Sequence, residues 1–133
     1  MNDLRAGFHS DLDEVRDSIV RLGATVIDLI PRVTAVLLEQ DLEGAEYVIL
    51  GDDEVDARAT AIEEKALSLL ALQAPVAGDL RQVATALKIS AEMERSADLC
   101  CNICKAARRI YGHELDPKLR GIIQKLSDQA QAE

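Results

Sequence analysis

The chain is poor in the residues on which many folds rely. Its 133 residues include one Phe, two Tyr and no Trp, too few aromatics for a β-sandwich core or an aromatic-anchored binding groove. The three cysteines, Cys100, Cys101 and Cys104, are an odd number crowded into five positions. That is no disulfide framework, and it suits a reduced, cytosolic setting. Positive charge is scarce as well. Fifteen Lys and Arg against 24 Asp and Glu leave a net charge of −9, which argues against a nucleic-acid footprint and fits a soluble, self-repelling surface. No run approaches the ~20 apolar residues of a membrane span. Met1 to Leu12 lacks a basic stretch followed by an apolar one, so no signal peptide is expected. His9 and His113 follow Ala6 and Ile110 at i−3, so the Glu-x-x-His pairs of a di-iron oxidase are missing. There is no Gly-rich phosphate loop, and no Ser-His-Asp or Cys-His set that maps to one place. What remains is rich in Ala, Leu, Val, Ile and charged residues, the composition of a helical bundle. The length fits one domain or a fragment of a longer chain.

Apolar periodicity divides the chain into helices. Leu12, Val15, Ile19, Leu22, Val26, Leu29, Val33 and Val36 recur at alternating steps of three and four, with Phe8 one step upstream. This predicts a first helix over about 4–39. Pro31 should kink it, and Gly23 either weakens it or lets a neighbouring helix approach closely. Asp41 is a candidate N-cap for a second helix over about 42–72, with Ala45, Val48, Val55, Ala59, Ile62, Ala66 and Leu69 on its seam. Pro75 suits the first turn of a third helix over about 75–111. That seam reads Val76, Leu80, Val83, Leu87, Ser90, Glu94, Ala97, Cys101 and Cys104. Arg108 and Arg109 suit its negative C-terminal end, and Gly112 can terminate it. Asp116-Pro117 opens a fourth helix, with Leu119, Ile122, Ile123, Leu126 and Ala130 towards one side. The expected fold is all-α: an up-down-up three-helix bundle over 1–112, with 113–133 as the start of a second repeat or a truncated fourth helix.

Two acidic pairs interrupt this pattern. Asp52 and Asp56 lie 23 and 19 residues before Pro75, and Asp98 and Glu94 lie 23 and 19 after it. If the chain turns at Pro75, the two pairs face each other across antiparallel helices. The i,i+4 spacing points both members of each pair to one helix face. Asp52 and Glu94 occupy seam positions where Leu or Val is expected. Other acidic pairs with this spacing, Asp13/Asp17 and Glu39/Glu43, read as solvated faces, so spacing alone is not specific. Two readings stay open for the central set. It is either an oxygen-ligand site for a hard cation, or an acidic patch neutralised by Arg58 and Arg95. Asp28 falls near the same level and could flank it. Cys101-x-x-Cys104 lies on a seam with no second cysteine pair, so core packing accounts for it better than a redox or zinc role.

With the hairpin and its acidic pairs in view, the stretch from Leu67 to Ile103 resembles the PhoU family. The LALQ-x-PVA-x-DLR segment, Leu70 to Arg81, carries the most specific part of the likeness. Glu94-Arg95-Ser96-Ala97-Asp98 followed by Asn102-Ile103, and Asp52-x-x-Val55-Asp56 upstream, are similar to that family's acidic motifs. Phe8 and Leu22-Gly23 also fall where its first helix has similar residues. Leu99 stands where the family often has His, and the three cysteines replace small or aliphatic residues.

The resemblance implies a PhoU-like repeat, in a family built from two three-helix bundles, so this chain would hold one. It implies a cytosolic, non-enzymatic negative regulator of phosphate uptake and phosphate-starvation signalling, linking a Pst phosphate ABC transporter to a PhoR-type sensor histidine kinase. Such a protein would reside in the cytoplasm or attach peripherally to the inner membrane through its partners, as a homo-oligomer such as a dimer. By motif match, Asp52, Asp56, Glu94 and Asp98 would hold a carboxylate-bound divalent or trivalent metal: iron, Mn, Mg or Ca. Asp79 and Arg81 of the DLR segment would serve the bundle's fold or, with Arg95, a partner surface. The rival expectation is a metal-independent helical oligomerisation or adaptor protein.

Overall fold

The computed structural model describes residues 2–73, 75 and 77–133, with backbone only for 2–5 and 73. Four helices follow in order: α1 (Asn2–Glu39), α2 (Leu42–Gln73), α3 (Ala77–Arg109) and α4 (Pro117–Ala132). There is no strand among the described residues, and the fold is all-α. No helix among them is long and apolar enough to cross a membrane.

The helix ends follow local chemistry. Asp41 Oδ1 accepts from the Gly44 amide at 3.0 Å, and its carbonyl accepts from Ala45 N, which starts α2 as an N-cap should. Asp116 Oδ1 accepts from Lys118 N at 2.8 Å, with Pro117 at the first helical position of α4. Arg108 and Arg109 occupy the last turn of α3, and Gly112 follows at φ 91°, a left-handed conformation that costs glycine nothing. Gln40, at φ 55°, takes the same conformation after α1 without being glycine. Its side chain offsets part of that strain: Nε2 donates to the His113 carbonyl and Oε1 accepts from Gly112 N, both at 3.0 Å.

Two expectations need correction at α3. Pro75 is not in the helix; α3 opens at Ala77, whose φ of 49° separates the proline from the helical run. Val76, expected on the seam, lies outside the described residues. Leu80 is 44% exposed. Val83, Ala86 and Ser90 are buried and define the inward face of α3, with Asp79 in contact with His9 of α1 at 3.5 Å, so Leu80 is rotated off that face. In α1 the helix assignment runs unbroken through Pro31. Thr34 Oγ1 bonds back to the Ile30 carbonyl at 2.8 Å.

The chain forms two units that share the long helices. The first comprises α1 up to Ala24 together with Glu54–Arg95. Phe8, Leu12, Val15 and Leu22 of α1 are buried there, as are Val55, Ala59, Ile62, Ala66 and Leu69 of α2 and Val83, Ala86 and Ser90 of α3. The Ser90 hydroxyl donates to the Ala59 carbonyl at 3.2 Å, which satisfies a polar group at zero exposure. Gly23 provides room for α3: a Cβ there would sit 3.0 Å from Met93 Cε.

The second unit comprises Thr25–Asp53 and Ser96–Glu133. Its core is Val33, Val36, Ala45, Val48, Cys100, Cys104 and Ala107, with Leu29, Leu37 and Ile49 packed against it. The helix α4 meets α1 through Thr34 Oγ1 to Ser127 Oγ at 2.7 Å and Arg120 to the Leu38 carbonyl at 2.7 Å. It turns Ser127, not its apolar stripe, inward; Leu119, Ile122 and Leu126 are exposed.

A Cβ added at Gly51 would meet nothing within 4 Å. Gly51→Ala is therefore expected to stabilise the protein by up to about 1 kcal/mol through helix propensity and chain entropy. Chemical denaturation with an unchanged m-value checks this.

Candidate metal centre

The α2–α3 hairpin sets the geometry of the acidic motifs. The Ala59–Ser90 hydrogen bond fixes the antiparallel register in the first unit. In the second unit the same equidistance from residue 75 brings Asp52 of α2 opposite Asp98 of α3. Asp56 stands one turn beyond Asp52 on the same helix. These three residues each offer a carboxylate oxygen, and the three atoms lie within 4.8 Å of one another. Glu94, one turn before Asp98 on α3, is half-buried and is not one of the three.

The electrostatics of this group are unfavourable without countercharge. Two unit charges 4.8 Å apart repel by about 3 kcal/mol at an effective dielectric of 20. Asp52 Oδ1 and Asp56 Oδ1 are also shut off from solvent and accept no hydrogen bond, a state that normally costs a buried acceptor about 1–3 kcal/mol. Oxygens bound to opposite sides of a hard cation are separated by about 4–5 Å. The donor chemistry, the spacing and the two buried oxygens therefore all fit such an ion.

The remaining sequence candidates lie elsewhere. Asp79 pairs with His9 Nε2 at 3.5 Å, whereas Arg81 and Arg95 are exposed. Asp28 is engaged by Arg32 at 3.0 Å, and that guanidinium lies 4.7 Å from the Tyr47 ring centroid. Both contacts favour the charged form of Arg32, the hydrogen bond to Asp28 foremost.

Cys100 is a neighbour that seam counting overlooked, because the chosen stripe ran through Cys101. Burial raises its thiol pKa, and the charge of Asp52 adds to the rise. All three cysteines are free and buried. Cys104 is pushed up from 9.0 to about 11, mainly by desolvation.

Comparison with known proteins places this geometry in context. The model of the PhoU domain family matches residues 19–107, a span that contains both acidic motifs. The chain is 35% identical over 115 residues to the phosphate-specific transport system accessory protein PhoU homolog 1 of Mycobacterium leprae, covering 86% of this chain and 52% of the relative. It is 34% identical over 119 residues to PhoU homolog 2 of Mycobacterium tuberculosis, covering 89% and 56%. With the PhoU homolog of Clostridium acetobutylicum it shares 37% over 108 residues, covering 80% and 49%. The chain thus spans about half the length of the curated relatives it matches. No solved structure matches it.

Asp52→Asn removes one of the three clustered carboxylates, so any stabilisation that added Mn²⁺ gives wild type should shrink in the variant, measured by urea unfolding with and without chelator. Cys104 has a raised pKa in the folded state, so its contribution is complete below pH 9.0 and is lost as pH rises towards about 11. Cys104→Ala should lower stability at pH 7 and flatten the decline between those two values. Unfolding midpoints measured across the range check this.

Proposed function

The chain belongs to the PhoU domain family, and on that premise we propose that it is a regulatory part of a phosphate-uptake system. In this role it restrains uptake and phosphate-starvation signalling by connecting a Pst-type phosphate transporter with a PhoR-type sensor kinase. The observation that carries the proposal is 35% identity over 115 residues to a relative whose name is phosphate-specific transport system accessory protein. The role is one of contact rather than turnover. It places the protein in the cytoplasm, or peripherally at the membrane through the transporter.

The mechanism we propose rests on charge. Asp52, Asp56 and Asp98 hold a hard cation, with Glu94 one turn away as a reserve ligand. A bound ion supplies positive charge and nothing else is asked of it. The carboxylates then hold α2 to α3 with their repulsion neutralised, and the helix surfaces keep one arrangement. Contact with a partner follows the population of that arrangement. Arg81 and Arg95, both exposed, suit a partner-facing role, while Asp79 holds α3 to α1 through His9.

A second reading is favoured by the exposed stripe of Leu119, Ile122 and Leu126 on α4. In that reading the protein is a metal-independent oligomerising adaptor, and the carboxylates serve only solubility.

Co-purification with the transporter and kinase, from cells grown in high and low phosphate, tests the proposal. Wild type should retain both partners in high phosphate. The Asp52→Asn/Asp98→Asn variant should lose about tenfold or more of that binding if the favoured arrangement depends on the ion. Equal recovery of both proteins would support the metal-independent adaptor, and recovery of neither partner would contradict the regulatory role.

A further inference from the structure

The exposed stripe of α4 and an exposed face near the start of α2 share one spacing with opposite charge. On α4, Lys118, Leu119, Ile122 and Lys125 stand at i, i+1, i+4 and i+7. On α2, Glu46, Tyr47, Leu50 and Asp53 stand at the same four steps. Both sets lie in the second unit, and all eight residues are exposed. Positions i, i+4 and i+7 share one helix face, so each set holds an apolar residue between two charges of one sign. Leu50 is 72% exposed, and Leu126, one turn past Ile122, is 65% exposed. The surrounding sequence sharpens the contrast. Residues 33–57 contain eight Asp and Glu and no Lys or Arg, whereas residues 117–126 contain three Lys and Arg and no Asp or Glu.

The chain leaves both faces open. Ser127 and Arg120 tie α4 to α1 from its other side. Among the described residues, the side chains of Glu46, Asp53, Lys118 and Lys125 make no ion pair. Arg32 lies against the Tyr47 ring, but Asp28 balances its charge. The acidic face of α2 therefore keeps its sign.

The spacing also fixes how the two faces would meet. Helices that pack antiparallel bring matching edges together, as flanking charges do in antiparallel coiled coils. With Ile122 set over Leu50 of a second copy, Lys118 comes level with Asp53 of that copy and Lys125 with Glu46. The charges in each set are seven residues, or about 10 Å, apart along the axis, so both pairs form in one register. Leu126 then falls beside Tyr47 of the second copy. Parallel packing would carry the acids to the opposite edge. An anionic lipid surface would also attract the lysines, but it leaves the matched spacing on α2 without a use.

We propose that α4 of one copy docks antiparallel on residues 46–53 of a second copy, and that a twofold axis repeats the contact. The apolar residues supply affinity, and the charge pairs select partner and register. This deepens the adaptor reading by naming what covers the α4 stripe, and it asks nothing of a bound cation.

Sedimentation velocity of the whole chain in chelator tests the proposal. Wild type should form a dimer whose fraction rises with concentration. Lys118→Glu/Lys125→Glu and Glu46→Lys/Asp53→Lys should each weaken self-association about tenfold or more, because like charges then face each other. All four positions are exposed, and circular dichroism checks that the helices are kept. Mixing the two variants in equal amounts should restore the dimer, since every contact in the mixed pair joins opposite charges. A wild type that stays monomeric, variants that dimerise as wild type does, a mixture that stays monomeric, or species that grow beyond the dimer would overturn the proposal. A monomer that sediments with phosphatidylglycerol vesicles through Lys118 and Lys125 would assign the stripe to a membrane instead. Each of these failures leaves the co-purification test of the regulatory role standing, because that test reads the transporter and kinase rather than self-association.

Discussion

Like charges held across a packed helical interface are the constraint around which this structure is organised. Asp52, Asp56 and Asp98 bring oxygens within 4.8 Å of each other, and two of those carboxylates each have an oxygen that neither solvent nor a hydrogen-bond donor reaches. An apolar side chain at the seam position of Asp52 would have packed at no electrostatic cost. Two like unit charges at 4.8 Å repel by about 3 kcal/mol at an effective dielectric of 20, so neighbouring groups of opposite sign or a cation would lower the energy of such a cluster.

The surrounding core is suited to hold such a group in place. Small residues dominate where helices meet: Ala45, Ala59 and Ala66 have zero exposure, and Cys104 and Ser90 join them. Small side chains let backbones approach closely, so the positions of neighbouring acids are set by backbone register more than by rotamer choice. The scarcity of aromatics noted in the sequence is the same fact seen from composition. Buried thiols contribute apolar volume while their protonation is maintained by desolvation.

Much of the fold was legible in the sequence, for physical reasons that also mark where legibility stopped. Period-3.5 stripes located α1 and α2 and most of their buried residues. Side-chain capping by Asp41 and Asp116 located the starts of α2 and α4. Equidistance from Pro75 brought Asp52 opposite Asp98, because an antiparallel hairpin has one register once its turn is fixed. The failures are local. Leu80 fits the seam by apolar character alone, but burial of Val83, Ala86 and Ser90 sets the inward face of α3 and turns Leu80 away from it. Pro75 was placed in α3 because its φ suits a helix start, but the left-handed Ala77 intervenes. Cys100 beside Asp52 was not legible, since periodicity names the buried face and leaves the flanks unassigned.

The claim that the acidic motifs form a cation site is tested most directly by counting ions. Mn²⁺ titration followed by electron paramagnetic resonance, on wild type and on Asp52→Asn/Asp98→Asn, reports free and bound ion in one spectrum. The account predicts saturable, stoichiometric Mn²⁺ binding by wild type and its loss in the double variant while helicity is retained. Binding of the same stoichiometry and affinity by both proteins, or no saturable binding by wild type, would contradict it.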